Sequence, residues 1–116
     1  MSAQFKVEFT SQVVDFLDSL EEKVRDKILF NIDKSTSKRD RELFKKLTSE
    51  IWEFRTLYKK KQYRLFAFWD KTQEGVTLVI ATHGIVKKTK KTPKKEIEKA
   101  IKIKDSYFKD RQDENT

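Results

Sequence analysis

Hydrophobic residues alternate with polar residues near the start of the chain and then change to a helical spacing. Residues 5–9 have the sequence FKVEF, in which every second side chain is apolar, as in a strand with one buried face. From Val13 to Ile32 the apolar positions recur every three or four residues. The pattern therefore predicts a strand followed by a helical hairpin that breaks near residues 19–22. A short apolar stripe at residues 43–47 predicts one more helical stretch.

Three aromatic or β-branched segments follow in the second half of the chain. They are IWEFRTLY (51–58), QYRLFAFW (62–69) and VTLVIATHGI (76–85), and the last is apolar enough to be buried on both faces. Short polar segments at 59–61 and 70–75 separate them, which is typical of antiparallel strands joined by turns. Beyond them, Thr92 as N-cap and Pro93 at the first helical position predict a terminal helix. Residues 109–116 are highly charged and are expected to fray.

This order of elements predicts one α+β domain over residues 1–116. Its core is a three-stranded antiparallel meander, and its helices are expected to gather on one face of the sheet. A chain of 116 residues can bury one modest core. The longest apolar runs are too short for a membrane span and the start does not resemble a signal peptide, so we expect a cytoplasmic protein without membrane contact.

Composition excludes several kinds of functional site. The chain has no cysteine and one histidine, so neither a disulfide framework nor a metal site of histidines and cysteines can form. Two glycines cannot build a glycine-rich phosphate loop, and the G-x-S-x-G motif of serine hydrolases is absent. We expect no cofactor. Any catalysis must therefore use arginine, lysine, tyrosine or the single histidine, His83, and such side chains suit a phosphodiester substrate.

Positive charge is concentrated in one segment. The formal net charge is +8, and residues 87–104 hold nine lysines against two glutamates, so the rest of the chain is nearly balanced. Localised positive charge is typical of a surface that binds phosphate. The densest part of this segment contains Lys87, Lys88, Lys90, Lys91, Lys94 and Lys95.

Two arginines lie inside the predicted aromatic strands, where an unpaired buried charge is costly. Glu53 lies two residues before Arg55, on the same strand face, and is a possible partner for it. Arg64 has no acidic residue on its own strand. The hairpin register stays open: a three-residue loop at 59–61 would place the arginines on opposite faces, and a four-residue loop at 59–62 would place them on one face.

The segments EIWEFR, YRLFAFW and VTLVIATHGIVKKTKKTP together resemble the HigB-type branch of the RelE/ParE toxin superfamily. That branch typically has an E-h-R strand, a Y-R strand and a strand ending in a lysine-rich run with TP before the last helix, where h is apolar. The match covers roughly residues 50–108, and the lysine run with TP is its most specific part. The resemblance implies a compact RelE-like fold.

The resemblance also implies a function. Such toxins of type II toxin–antitoxin systems are ribosome-dependent mRNA endonucleases, called mRNA interferases, which inhibit translation and are neutralised by a cognate HigA-type antitoxin. The basic catalytic site of the family corresponds here to Arg55, Arg64, Lys87 and Lys88, with His83 adjacent. The arginines would stabilise the charge on the phosphorane, and Lys87 or Lys88, with pKa values lowered by neighbouring lysines, would transfer a proton. Binding to ribosomal RNA or mRNA backbone is expected from Lys90, Lys91, Lys94 and Lys95.

Two other functions fit the same features. A ParE-like toxin has this fold, inhibits a topoisomerase and is not a nuclease. A basic nucleic-acid-binding module without catalysis is the other alternative. The dense lysine run favours the nuclease, because binding to a protein surface does not require it.

Overall fold

A computed structural model of the protein describes residues 5–38, 40–72, 75, 77–87 and 91–114, with side chains as far as Arg111. The described residues form five strands and three helices. In chain order these are β1 (Lys6–Phe9), α1 (Ser11–Asp18), α2 (Glu22–Lys38), β2 (Phe44–Lys46), β3 (Trp52–Tyr58), β4 (Lys61–Asp70), β5 (Leu78–Lys87) and α3 (Lys94–Glu114). None of these helices is long and apolar enough to cross a membrane.

The strands form one mixed sheet in the order β1-β5-β4-β3-β2. The predicted antiparallel meander of β3, β4 and β5 is confirmed. Two short strands extend it: β1 pairs with β5 in parallel, and β2 pairs with β3 antiparallel. The compact α+β fold predicted from the sequence is therefore present, with a wider sheet than the meander alone.

The helical stretch predicted at residues 43–47 is wrong, because these residues contain β2. Phe44 stacks on the rings of Phe54 at 4.3 Å and Trp52 at 4.9 Å between ring centroids. A strand of three residues is too short to display a two-residue period, and the adjacent apolar pair Leu43 and Phe44 imitates a helical stripe. Long-range aromatic packing therefore decides the conformation here.

The β3–β4 hairpin has a two-residue turn, shorter than either loop considered from the sequence. Lys59 and Lys60 both have positive φ, at 49° and 68°, as a type I′ turn requires. Tyr58 then pairs with Lys61, and Arg55 stands directly opposite Arg64. The two arginines therefore share a face of the sheet.

The helices lie on both faces of the sheet, which corrects the prediction that they gather on one. On one face, the hairpin of α1 and α2 buries Val13, Leu17, Val24, Ile28 and Ile32 against Leu65 and Val79. On the other, α3 packs Ala100 against a second cluster that contains Phe66, Phe68 and Ile80. Because β4 and β5 carry apolar side chains on both faces, a single helical layer would leave one of those faces in water.

A buried carboxylate fastens the far part of α3 to the sheet. Asp70 at the end of β4 is 1% exposed and accepts hydrogen bonds from Tyr107 Oη at 2.5 Å, Arg111 Nη1 at 3.1 Å and Thr72 Oγ1 at 2.6 Å. Burial alone would raise the pKa of Asp70, but the hydrogen bonds from Thr72 and Tyr107 and the charge of Arg111 outweigh burial and lower it below 3.8. α3 is helical to Glu114, beyond this contact.

We predict that Asp70→Asn lowers the free energy of unfolding at pH 7 by about 2 kcal/mol, because the hydrogen bonds from Tyr107, Thr72 and Arg111 lose their charged acceptor. The pKa of Asp70 is lower in the folded chain, so its contribution is present above pH 3.8 and is lost as the pH falls below that value. Urea unfolding at several pH values measures this. The difference between wild type and variant should shrink below pH 3.8, whereas the exposed Asp105→Asn should stay within about 0.5 kcal/mol of wild type. A difference that stays constant down to pH 3 would contradict the assignment.

Candidate functional site

Three of the basic residues singled out from the sequence meet on the α3 face of the sheet. Arg55 on β3 stands opposite Arg64 on β4, and Lys87 on β5 stands opposite Gln62, two residues before Arg64. The three side chains therefore occupy adjacent rows near the hairpin end of the sheet. Arg55 is the most accessible of them, with 26% of its side chain exposed, against 2% for Arg64.

A β-bulge brings Lys87 to this face. β4 and β5 change register between Phe66 and Ala67: Ala67 pairs with Ala81, and Phe66 pairs with His83, so Thr82 is the extra residue. In β5 the even-numbered residues up to Ile80 face α3, and beyond the bulge the odd-numbered residues face it. Simple alternation from Ile80 would have placed Lys87 on the opposite face. The bulge therefore assembles the basic site.

One carboxylate holds the basic residues together. Glu53 on β3 is 1% exposed, and its Oε1 accepts a hydrogen bond from Arg64 Nη1. The same oxygen lies 3.7 Å from Arg55 Nε, and Oε2 accepts a hydrogen bond from Thr92 Oγ1 at 3.0 Å. Glu53 thus connects β3, β4 and the segment before α3 through one buried group.

Arg64 forms the floor of the site. Its Nη2 donates to Gln62 Oε1, while its buried Nε has no hydrogen-bond partner among the described residues. Burial lowers the pKa of Arg64; Glu53 opposes this effect and Arg55 adds to it. Because Nη1 is bound by Glu53 and Nη2 by Gln62, the Arg64 guanidinium is fixed in place. It lies next to the more exposed Arg55, which contacts the same carboxylate.

Lys87 is the third cation and is 7% exposed. Its Nζ lies 3.3 Å from Thr92 Oγ1, the hydroxyl that also contacts Glu53. Burial is the main cause that lowers the pKa of Lys87, and Arg64 lowers it further while Glu53 opposes them. The pKa of Lys87 is therefore lowered, as expected from the sequence, with burial as the largest cause and the guanidinium groups of Arg64 and Arg55 adding to it.

His83 lies on the same face but beneath the start of α3. Its ring stacks on Phe66 with centroids 4.8 Å apart, Nδ1 is 3.0 Å from Thr82 Oγ1, and Nε2 is 3.5 Å from Glu96 Oε1. Burial and Lys99 lower the pKa of His83, opposed by Glu96. The imidazole is 2% exposed, so its surroundings resemble those of a packed core residue.

Of the lysines expected to bind RNA, Lys91 lies shortly before α3, and Lys94 and Lys95 are its first two residues. Lys91, Lys94 and Lys95 are exposed. Lys88 and Lys90 lie outside the described residues.

An open cavity of about 380 Å³ lies over the arginines, and it is the space available to a ligand. Its lining comprises Glu42, Leu43, Arg55, Thr56, Leu57, Gln62 and Arg64. Among the described residues, no group of histidine, aspartate and glutamate side chains is arranged to hold a metal ion. The cavity lining itself offers two fixed cations, Arg55 and Arg64.

Comparison with known protein families identifies the chain. The family model described as Phage derived protein Gp49-like (DUF891) matches residues 15–105, which is most of the chain. The chain belongs to the Gp49-like family. This family is associated with RelE-like and toxin-like modules of toxin–antitoxin systems. A search of curated proteins found no match.

The sequence pattern alone does not indicate three residues of the candidate site: Glu53 as its centre, and Gln62 and Thr92 as contacts of its basic groups. A signal for Glu53 was present, since a carboxylate inside an aromatic strand needs a partner as much as an arginine does. The sequence spacing places Glu53 near Arg55, but its closer contact is with Arg64 across the hairpin. That contact depends on the two-residue turn, which the sequence leaves open.

We predict that Glu53→Gln lowers the free energy of unfolding of the Gp49-like protein by about 3–5 kcal/mol, because it leaves Arg64 buried without its counter-charge. Glu50→Gln is a matched control. Glu50 pairs with Lys104 at 2.7 Å but is 44% exposed, so this change should cost less than about 1 kcal/mol. Urea unfolding compares the two variants at pH 7. Equal losses would show that Glu53 has no special role.

Proposed function

We propose that this Gp49-like protein is the toxin of a type II toxin–antitoxin system and an mRNA interferase of the HigB type, which cleaves mRNA on the ribosome and so inhibits translation. One observation carries the proposal: Arg55 and Arg64, which line an open cavity, both contact the buried carboxylate of Glu53, and Lys87 is connected to the same carboxylate through the Thr92 hydroxyl. The family membership and the lysine-rich run before α3 support it further.

The charge balance of this cluster favours a phosphate ligand. Arg55, Arg64 and Lys87 carry three positive charges, and Glu53 compensates one of them. Excess charge in a largely buried site is costly until an anion approaches. A phosphodiester brings a negative charge, and more charge develops on its oxygens in the pentacovalent transition state, so the stabilisation would be largest there.

Each residue of the cluster then has a distinct role. The accessible Arg55 guanidinium would bind the scissile phosphate with two parallel hydrogen bonds. The ribose 2′ oxygen would attack phosphorus and lose its proton to a water molecule as the bond from phosphorus to the 5′ oxygen breaks. Lys87, with its lowered pKa, would donate a proton to that leaving 5′ oxygen. Arg64, Glu53 and Gln62 would act as positioning residues, because their contacts are mainly with one another.

The same geometry gives a reason for dependence on the ribosome. Glu53 is engaged by Arg64 and Thr92, and His83 is buried under α3, so neither is placed to activate a 2′-hydroxyl. Holding substrate in a reactive geometry can supply a large part of a catalytic barrier. On the ribosome, the A-site message would be held in that geometry by the ribosome itself. A HigA-type antitoxin with an acidic segment would neutralise the same cations, and the system would act in the cytoplasm.

The test is a purified translation reaction with one defined message, in which new mRNA 5′ ends are mapped by primer extension with and without ribosomes. Wild-type protein should generate new ends only when ribosomes are present. Arg55→Gln should slow cleavage by about 10²-fold or more, and Lys87→Gln by about 10²–10⁴-fold. Lys27→Gln, an exposed substitution on α2, is the matched control and should cleave at the wild-type rate.

Two outcomes would contradict the proposal. mRNA that stays intact in the presence of wild-type protein and ribosomes would contradict the proposed nuclease activity. Inhibition of a purified topoisomerase would then favour the ParE-like alternative. Cleavage without ribosomes would indicate an autonomous ribonuclease with a stronger general base than this cluster contains.

A further inference from the structure

A basic groove leads away from the candidate site along the outer edge of β2. Three cavities make it up, with volumes of about 380, 500 and 300 Å³. The first and second share Glu42 and Arg55, and the second and third share Lys46 and Trp52, so they adjoin one another in this order. We call their combined lining the β2-edge groove; it begins at Arg64 and ends at Lys71 and Lys104.

Positive side chains dominate this lining. The described groove residues include seven cations and two carboxylates, Glu42 and Glu50, and Glu50 already pairs with Lys104. Lys45 and Lys46 are both exposed on β2. The cations are Arg41, Lys45, Lys46, Arg55, Arg64, Lys71 and Lys104. A continuous line of such groups fits a chain of phosphates better than a single anion.

A tryptophan stands in the middle of the groove. Trp52 is partly exposed, and its ring is held by Phe44 at 4.9 Å and by Trp69 at 5.6 Å between centroids. These neighbours fix the ring before any ligand arrives, so little ordering is required when a base stacks on its remaining surface. A rigid aromatic side chain within a basic groove is the combination that single-stranded nucleic acids recognise.

We propose that the β2-edge groove binds a few nucleotides of single-stranded RNA that are continuous with the phosphodiester at Arg55. This inference rests on the proposed function for its starting point and adds a second RNA-binding surface, separate from the lysines at the start of α3. An acidic peptide would match the charge, but stacking on Trp52 and continuity with the arginine site favour RNA.

The experiment uses the only two tryptophans of the chain as probes. In a Trp69→Phe variant, all tryptophan fluorescence comes from Trp52. This variant is titrated with a 2′-O-methyl RNA ten-mer, which cannot be cleaved, and the fluorescence is measured at salt concentrations between 50 and 200 mM. RNA should quench Trp52. Adding Lys45→Gln and Lys46→Gln should reduce the slope of log affinity against log salt by about 1.4, since two phosphate contacts are lost from a single strand.

The matched control adds Lys23→Gln and Lys27→Gln, which remove the same charge from exposed positions on α2 that line none of the three cavities. This control should keep the wild-type slope. Equal slope changes in the two double variants, or a Trp52 signal that RNA does not alter while a polyglutamate peptide does, would overturn the inference.

Groove binding and cleavage are read separately. If cleavage depends on ribosomes but the Lys45→Gln, Lys46→Gln variant keeps the wild-type slope of log affinity against log salt, RNA binding in the groove is ruled out and the proposed function stands. If RNA quenches Trp52 fluorescence and the salt slope changes as expected, but no mRNA is cleaved on ribosomes, the groove is supported as an RNA-binding site and the proposed nuclease activity is ruled out.

Discussion

The buried carboxylate of Glu53 is the constraint on which the candidate site depends. Two arginines placed directly opposite each other on neighbouring strands repel, and Arg64 is almost completely removed from water. Glu53 makes this arrangement tolerable because it contacts both guanidinium groups and the Thr92 hydroxyl before α3. It also leaves the cluster with unbalanced positive charge, which a phosphate can complete. Glu53 thus supplies the structural pairing, and the positive charge that it leaves uncompensated supplies the attraction for a phosphate.

Much of the fold follows from local patterns in the sequence. The β3–β5 meander, the α1–α2 hairpin and the terminal helix are each predicted by alternation, by helical spacing or by the Thr-Pro start. The errors occur where non-local contacts decide. Phe44 becomes part of a strand because Phe54 and Trp52 stack on it, and α3 occupies the opposite face because β4 and β5 are apolar on both sides.

The sequence identifies the basic residues of the site but does not predict their arrangement in space. Arg55, Arg64 and Lys87 stand out as charges at the ends of apolar strands or within them. Their convergence requires a type I′ turn at Lys59 and Lys60 and a bulge at Thr82. Lysine is not a preferred residue in a type I′ turn, and a bulge adds one residue without interrupting the apolar run of β5. The sequence therefore contains no local signal for either feature.

The most direct measurement of the central claim is a crystal structure of the protein bound to a dinucleotide whose 2′-hydroxyl is methylated and cannot attack. The Glu53-centred cluster should hold its phosphate, with a phosphate oxygen about 2.8 Å from an Arg55 nitrogen and Lys87 beside the 5′ oxygen. Glu53 should keep its contact with Arg64 in that complex. A phosphate bound only by lysines at the start of α3, with no contact to Arg55 or Lys87, would contradict the account.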